Sequence, residues 1–184
     1  MKTKIQEYLT LLNATLKEVN IDTIEKIANL FISARNSNKQ IFVFGNGGSG
    51  STASHMVCDI IKGCSYNKER KFRIICLNDN IPTILAYSND VNFDCIFIEQ
   101  LKNLMNEGDI VLGISGSGNS KNVINAIQYA NENNAISIGF TGLSGGKLLK
   151  QASTCLHIPI NDMQITEDFH FIVMHILYRI LVQS

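Results

Sequence analysis

Two short apolar runs of this chain each end in a turn made of Gly, Ser and Asn. The first run covers residues 40–44 and leads into Gly45, and the second covers residues 109–113. A run that is apolar at nearly every position is typical of a strand covered on both faces, as in a parallel sheet flanked by helices. The pattern therefore predicts an α/β fold.

Five such runs occur along the chain, and helix-like segments separate them. The predicted strands cover residues 40–44, 72–77, 109–113, 135–140 and 154–158, and the predicted helices between them cover residues 52–62, 81–86, 96–104, 121–131 and 147–151. This alternation predicts a mostly parallel sheet with helical crossovers. Apolar residues at helical spacing predict two further helices, one from Ile5 to Leu16 and one from Ile24 to Ala34, and a last helix covers residues 162–181.

Length and composition limit the classes of protein that the chain can represent. With 184 residues it can bury one core, so we expect a single domain over residues 1–184 with a helical N-terminal segment, residues 1–36. Sixteen basic residues balance sixteen acidic ones, which argues against a nucleic-acid or membrane partner. No leader or membrane span is recognisable, and five cysteines without CxxC spacing indicate reduced thiols. We therefore expect a cytoplasmic protein.

Both Gly/Ser turns are predicted to bind an anion. Backbone N–H groups at the start of a helix attract negative charge, and Ser hydroxyls add hydrogen-bond donors. Neither turn has the spacing of a dinucleotide or P-loop fingerprint, which disfavours NAD and ATP. A phosphorylated sugar suits these hydroxyl-rich loops better. The alternative is that such turns merely connect strands to helices. Two of them at strand ends, where open α/β sheets bind ligands, favour a site.

Two pairs of metal-ligating side chains also have helical spacing. His55 and Asp59 are four residues apart, and Glu167 and His175 are eight residues apart on the predicted last helix, so each pair shares a face. Together they could form a zinc site of two imidazoles and two carboxylates. The alternative is that His55 packs or caps its helix and the acids are solvated. We expect His157 and His170 to have structural roles.

With these motifs the chain resembles the sugar isomerase (SIS) domain family, and within it the phosphoheptose isomerases. The resemblance extends over essentially all of the sequence. It rests on Phe44-Gly45-Asn46-Gly47-Gly48-Ser49 with His55, on Asn89-Asp90, on residues 113–123, and on Glu167-Asp168-Phe169-His170 with His175. It implies a flavodoxin-like three-layer α/β/α sandwich with a five-stranded parallel sheet. It also implies a homotetramer in whose assembly the N-terminal helices take part.

The same resemblance implies roles for individual residues. Those expected to contact the sugar or its phosphate are Asn46, Gly47, Gly48, Ser49, Asn89, Asp90, Ser115, Gly116, Ser117, Ser120 and Glu167. Those expected to bind zinc are His55, Asp59, Glu167 and His175. The family usually has Glu where this chain has Asp59, and Gln where it has Glu167, so the reach of one side chain and the charge of another differ from the usual pattern.

The function implied is isomerisation of sedoheptulose 7-phosphate to D-glycero-D-manno-heptose 7-phosphate through an enediol, with Asp59 as base and His175 as acid/base partner. The product would feed heptose biosynthesis for lipopolysaccharide, capsule or another surface glycan. The alternative is a non-catalytic SIS module that binds a phosphosugar or a protein partner such as a replication initiator. A pure binder needs the serine loop but has no use for the four metal-ligating side chains, whose joint presence favours an enzyme.

Overall fold

The computed structural model describes all residues from 1 to 184 and contains one five-stranded sheet. The strands are β1 (Gln40–Gly45), β2 (Arg73–Cys76), β3 (Ile110–Ser115), β4 (Ile136–Thr141) and β5 (Thr154–His157). All are parallel and lie in the order β2-β1-β3-β4-β5. The predicted strands are confirmed, each within two residues of its predicted bounds.

Eight α-helices cover the two faces of the sheet. They are α1 (Lys2–Leu16), α2 (Ile21–Asn36), α3 (Gly48–Asp59), α4 (Ile81–Asp90), α5 (Ile98–Leu104), α6 (Lys121–Glu132), α7 (Gly146–Gln151) and α8 (Met163–Leu181). One core lies between the sheet and α2, α3 and α8, and a second lies between the opposite face and α5, α6 and α7. The predicted three-layer α/β/α fold is confirmed.

Local side-chain hydrogen bonds fix where several helices begin. Asn20 accepts a hydrogen bond from the Thr23 N–H at the start of α2, and Asp162 accepts one from the Ile165 N–H at the start of α8. An N-cap of this kind satisfies a backbone donor that has no partner within the helix. Because Asp162 fixes the first turn of α8, it also fixes the heights at which His170 and His175 lie along this helix.

The predicted bounds of two helices between the strands are wrong. The helix predicted over residues 52–62 begins four residues earlier, at Gly48, and its α-helical part ends at Asp59, where a π-helix (Ile60–Cys64) follows. The helix predicted over residues 81–86 continues to Asp90. Gly, Ser and Asn have low helix propensity, but packing outweighs it where Ser49 and Gly50 are buried. None of the helices combines the length and apolar composition that crossing a bilayer requires.

Candidate active site

The two Gly/Ser turns meet at the carboxyl edge of the sheet. Gly45, the last residue of β1, pairs with Ile114 of the neighbouring strand β3. From these adjacent strands the chain continues into α3 on one face of the sheet and into α6 on the other. Open α/β sheets bind ligands in the crevice at such a switch point. The structure therefore brings the two predicted loops to one location.

The first loop follows β1 and is held by an asparagine from outside it. Asn78 donates a hydrogen bond to the Gly45 carbonyl (2.7 Å) and accepts one from the Gly45 N–H (3.2 Å). Gly47 has φ +54° and ψ −124°, and a Cβ there would meet no neighbouring atom. The backbone conformation therefore requires glycine at this position, although a larger side chain would have space, because only Gly adopts these angles without strain. The loop turns directly into α3.

The second loop follows β3 and carries the predicted phosphate-binding serines. The Ser115 hydroxyl lies 3.2 Å from that of Ser120, and the Ser117 hydroxyl accepts a hydrogen bond from the Asn119 N–H (3.2 Å). Ser120 is the N-cap of α6, but its side chain does not cap that helix. The N–H groups of Lys121 and Asn122 thus lie at the loop without a side-chain acceptor, an arrangement suited to an anion, whereas the Val123 N–H donates to Asn122 Oδ1.

His55, Asp59 and His175 form a cluster between α3 and α8. Asp59 Oδ2 lies 3.4 Å from His55 Nε2 and 3.7 Å from His175 Nε2. One ligand atom from each residue lies within 4.8 Å of the other two, and the three side chains are partly exposed. The structure therefore brings together three of the four predicted metal-ligating residues, in a form that can bind a divalent cation.

An aromatic side chain holds the two imidazoles of this cluster in place. The ring of Phe171 lies 4.9 Å from that of His55 and 4.8 Å from that of His175, centroid to centroid, and both contacts are edge-to-face. Edge-to-face packing is the favoured geometry for such rings. Phe171 thereby restricts the directions in which the ring nitrogens point, and the sequence did not single it out.

The fourth predicted ligand, Glu167, lies outside this cluster. Eight residues of helix separate it from His175, a rise of about 12 Å. Its carboxylate lies instead beside the first loop, where a Cβ on Gly48 would be 3.1 Å from Glu167 Oε2. The position agrees with its other predicted role, in binding the substrate.

The next residue, Asp168, accepts a hydrogen bond from Tyr8 of α1 (2.7 Å), which raises the pKa of the tyrosine to about 12.

The remaining predicted residues lie on α4, β5 and α8. Asn89 and Asp90 are exposed at the end of α4, where the Asn89 amide donates to the Asp90 carboxylate (2.7 Å). His157 contacts the Leu143 carbonyl (3.0 Å), and His170 is buried, which agrees with the structural roles predicted for both.

Two asparagines support the site but were not predicted as site residues. Asn78 holds Gly45, and Asn122 hydrogen-bonds to Asn46 through both amide groups. Asn78 follows the end of β2 by two residues, so a search for polar residues just after each strand would have found it. Asn122 stands within the motif that carries the resemblance, but spacing alone gives no sign of its partner.

Comparison with known proteins identifies relatives over most of the chain. A model of the SIS domain family matches residues 6–142. The probable phosphoheptose isomerase of Thermoplasma acidophilum is 39% identical over 160 residues, which are 86% of this chain and 87% of that protein. Phosphoheptose isomerase 1 of Campylobacter jejuni is 32% identical over 180 residues, which are 97% of this chain and 95% of that protein.

Solved structures show the same similarity. A phosphoheptose isomerase from Francisella tularensis superposes with a TM-score of 0.91 at 29% identity, covering 99% of this chain and 98% of the other. The phosphoheptose isomerase from Neisseria gonorrhoeae gives a TM-score of 0.92 at 24% identity, covering 100% of this chain and 99% of the other, and this likeness concerns the fold.

Proposed function

The chain belongs to the SIS domain family, and within it to the phosphoheptose isomerases, and we propose that it converts sedoheptulose 7-phosphate to D-glycero-D-manno-heptose 7-phosphate. This is an aldose–ketose isomerisation, in which a proton moves between adjacent carbons through an enediol. The observation that carries the proposal is the His55–Asp59–His175 cluster, two of whose residues lie on α3, the helix that begins at the first of two loops suited to a phosphorylated sugar. The reaction needs a base and an acid/base partner close together, and the cluster supplies both types of group.

We assign the base to Asp59 and the proton shuttle between the two oxygens to His175. Both short contacts of the Asp59 carboxylate use Oδ2, which leaves Oδ1 free to take the proton from carbon. His175 Nε2, at 3.7 Å from that carboxylate, is near enough to act on the adjacent oxygens of the same substrate. The phosphate would bind to Ser115, Gly116, Ser117 and Ser120, and the sugar to the first loop with Ser49, Glu167, Asn89 and Asp90.

Zinc fits the donor set of the cluster. Neighbouring ligand atoms of a tetrahedral zinc lie about 3.3 Å apart, given metal–ligand distances of about 2.0–2.1 Å. The separations of 3.4 and 3.7 Å from Asp59 Oδ2 to the two imidazole nitrogens are close to that value, and all three ligand atoms lie within 4.8 Å of one another. His55, Asp59 and His175 would hold the ion, the predicted fourth ligand Glu167 would join them only if its carboxylate turned away from Gly48, and a bound zinc would polarise the sugar carbonyl. Because a carboxylate that binds zinc is a weaker base, the two roles of Asp59 compete.

We further propose that residues 1–36 assemble the chain into a homotetramer. Helix α1 buries only Thr15, while its apolar side chains Ile5, Leu9 and Leu16 remain about half exposed. Beside it, α2 and α8 enclose an apolar groove of about 750 Å³. A second copy of the chain would cover these surfaces, and light scattering would give the molar mass of the assembly.

We place the enzyme in the cytoplasm, in heptose biosynthesis for lipopolysaccharide, capsule or another surface glycan.

The test of the reaction is proton exchange at C1 of sedoheptulose 7-phosphate, followed by NMR in deuterated water. The protein is first treated with a chelator and then measured with and without added zinc. Deuterium incorporation together with aldose product is expected, and the zinc dependence decides whether the ion takes part. The variant His175→Ala should lose turnover while the protein remains folded.

Two results would contradict the proposal. An active His175→Ala variant would reject the assignment of the proton shuttle. Absence of exchange in the unmodified protein under both conditions, with phosphosugar binding intact, would favour another substrate or the non-catalytic binding module.

A further inference from the structure

The side chains of Asn46 and Asn122 bind each other through both of their amide groups. Asn46 Nδ2 donates to Asn122 Oδ1 (2.9 Å), and Asn122 Nδ2 donates to Asn46 Oδ1 (2.8 Å). Asn122 is 1% exposed, and its Oδ1 also accepts a hydrogen bond from the Val123 N–H (2.9 Å). This third bond fixes which end of the Asn122 amide is the oxygen, and the reciprocal pair transfers that orientation to Asn46.

The pair connects the two sides of the crevice. Asn46 lies between β1 and α3, whereas Asn122 lies in the first turn of α6, on the opposite face of the sheet. The two residues are 76 positions apart in the sequence. They form a side-chain link between the loop expected to bind the sugar and the helix start expected to bind the phosphate.

Asn46 keeps hydrogen-bonding capacity after this pairing. A carboxamide has two N–H donors and two lone pairs, and the pair uses one of each on Asn46. The side chain is only half-buried, so the second N–H and the second lone pair are available to a ligand. A donor and an acceptor held side by side in a fixed orientation suit two neighbouring hydroxyl or carbonyl oxygens of a sugar.

We propose that Asn122 is a positioning residue of this active site, which acts through Asn46. It holds the Asn46 amide in one orientation toward the reacting end of the sugar and couples that orientation to the helix start beside the phosphate. The inference rests on the proposed function. It predicts that loss of the pair slows the chemical step more than it weakens substrate binding, because the substrate stays bound while its reacting atoms are misplaced.

Two variants of Asn122 and one matched control test this role. Asn122→Ala removes both hydrogen bonds of the pair. Asn122→Asp keeps both acceptor contacts but cannot donate to Asn46 Oδ1, and a carboxylate in the first turn of a helix favours folding. The control is Asn125→Ala, one turn later on α6, where the lost hydrogen bond goes to the Asp94 carbonyl (3.1 Å) and not to either loop.

The measurements are kcat and KM for sedoheptulose 7-phosphate, the dissociation constant of inorganic phosphate, and the urea midpoint of unfolding. We expect kcat to fall about 10- to 100-fold in both Asn122 variants, with little change in KM for Asn122→Ala and an unchanged kcat in Asn125→Ala. The negative charge introduced by Asn122→Asp should weaken phosphate binding. The dissociation constant of inorganic phosphate measures that effect separately from kcat.

The outcomes distinguish this inference from the proposed function. If the unmodified protein isomerises the sugar and both Asn122 variants keep its kcat, the inference alone is wrong. A fall in kcat that only follows the loss of folded protein, or that Asn125→Ala reproduces, also overturns it. An unmodified protein without isomerase activity contradicts the proposed function and this inference with it.

Discussion

The two Gly/Ser loops of the site are similar in composition but differ in what holds them. The first loop depends on side chains from distant positions: Asn78, 33 residues from Gly45, clamps the peptide groups of that residue, and Asn122, 76 residues from Asn46, binds its amide. Within the loop, Gly47 adopts a conformation that ordinary residues avoid. Local backbone hydrogen bonds join Asn46 and Gly47 to the start of α3 (3.4 and 3.1 Å), and the two distant asparagines add contacts from other elements.

In the second loop, backbone hydrogen bonds make close contacts with another segment of the chain. The Gly118 N–H donates to the Ser115 carbonyl (2.9 Å), and the Gly118 carbonyl accepts from the Leu148 N–H (3.0 Å). The Gly116 carbonyl accepts from the Gly142 N–H (2.9 Å). The loop is thus bound to the segment that follows β4 through groups that every residue carries.

This difference determines how each loop can be disrupted. A single side-chain deletion can remove a support of the first loop, because amide groups of Asn78 and Asn122 make the contacts. The second loop also has side-chain hydrogen bonds, such as those of Asn119 to the Ser117 carbonyl and from the Lys147 N–H, but truncation of one side chain leaves its backbone hydrogen bonds intact. Only a change that prevents the close approach of the two backbone segments should disrupt it.

The largest effect is expected from Gly118→Ala in the second loop. Gly118 has φ +65°, and a Cβ there would collide with the Gly145 carbonyl. The left-handed conformation alone costs about 1–2 kcal/mol for a residue with a Cβ, and the collision forces the loop away from its position. Since a displacement of about 1 Å can cost about 100-fold in rate, we expect kcat/KM to fall by at least that factor and phosphate binding to weaken.

The matched control for this prediction is Gly108→Ala. Gly108 has φ +78°, but a Cβ there would meet only the flexible end of the Lys39 side chain. The variant therefore has the same conformational cost, visible in the urea midpoint, and normal isomerase kinetics. Equal kinetic losses in the two variants would show that Gly118 acts through general stability and not through the loop.

The second prediction concerns the helix that packs behind the second loop. His170 of α8 is 1% exposed, its ring lies 5.7 Å from that of Phe140 at the end of β4, and neither ring nitrogen has a hydrogen-bond partner of good geometry. Burial lowers the pKa of His170 from its ordinary value of 6.5 to about 4, and the nearby Thr141 backbone opposes this only in part. The imidazole is therefore neutral in the folded protein at neutral pH.

The sign of the pH dependence follows from that lowered pKa. The stability that the neutral ring contributes is complete above the unfolded pKa of 6.5 and is lost as the pH falls through the folded pKa of about 4. His170→Leu has no group that titrates at this position. When the pH is lowered from about 7.5 to about 5, its free energy of unfolding should therefore fall by about 2 kcal/mol less than that of the unmodified protein. Urea titrations at the two pH values measure the difference, and parallel pH slopes would contradict the prediction.

Much of this organisation could be predicted from the sequence, but the first loop shows where prediction ends. The strands, the parallel sheet and the pairing of His55 with Asp59 follow from periodicity, which is a local property. The second loop is likewise visible as a run of Gly and Ser. Asn78 and Asn122 could not be recognised as supports, because Asn is common in turns and helix starts and its partners here are distant in sequence. Glu167 lies on the predicted helix, but its carboxylate lies beside Gly48 and outside the cluster around His175, because side-chain direction does not follow from spacing alone.

The smallest effect is expected from Asn78→Ala in the first loop. The substitution removes both hydrogen bonds to Gly45 but leaves the backbone free of steric conflict, and water can reach the half-buried position. We expect a loss of about 1 kcal/mol in stability and about a tenfold fall in kcat/KM, because Asn46 and Gly47 follow the released peptide directly. Steady-state kinetics and urea unfolding measure the two quantities.

The matched control is Asn131→Ala at the other edge of the sheet. Asn131 also has two hydrogen bonds, one to the Gln151 carbonyl (2.8 Å) and one from the Ser137 hydroxyl (2.6 Å), but it touches neither loop. It should lose a similar stability and retain its kinetics. If Asn78→Ala behaved in the same way, the first loop would keep its shape without its side-chain clamp. The contrast between a loop joined to other elements by side chains and a loop joined to them through its backbone would then not hold. A kinetic loss confined to Asn78→Ala would instead show that the clamp determines the geometry of the site.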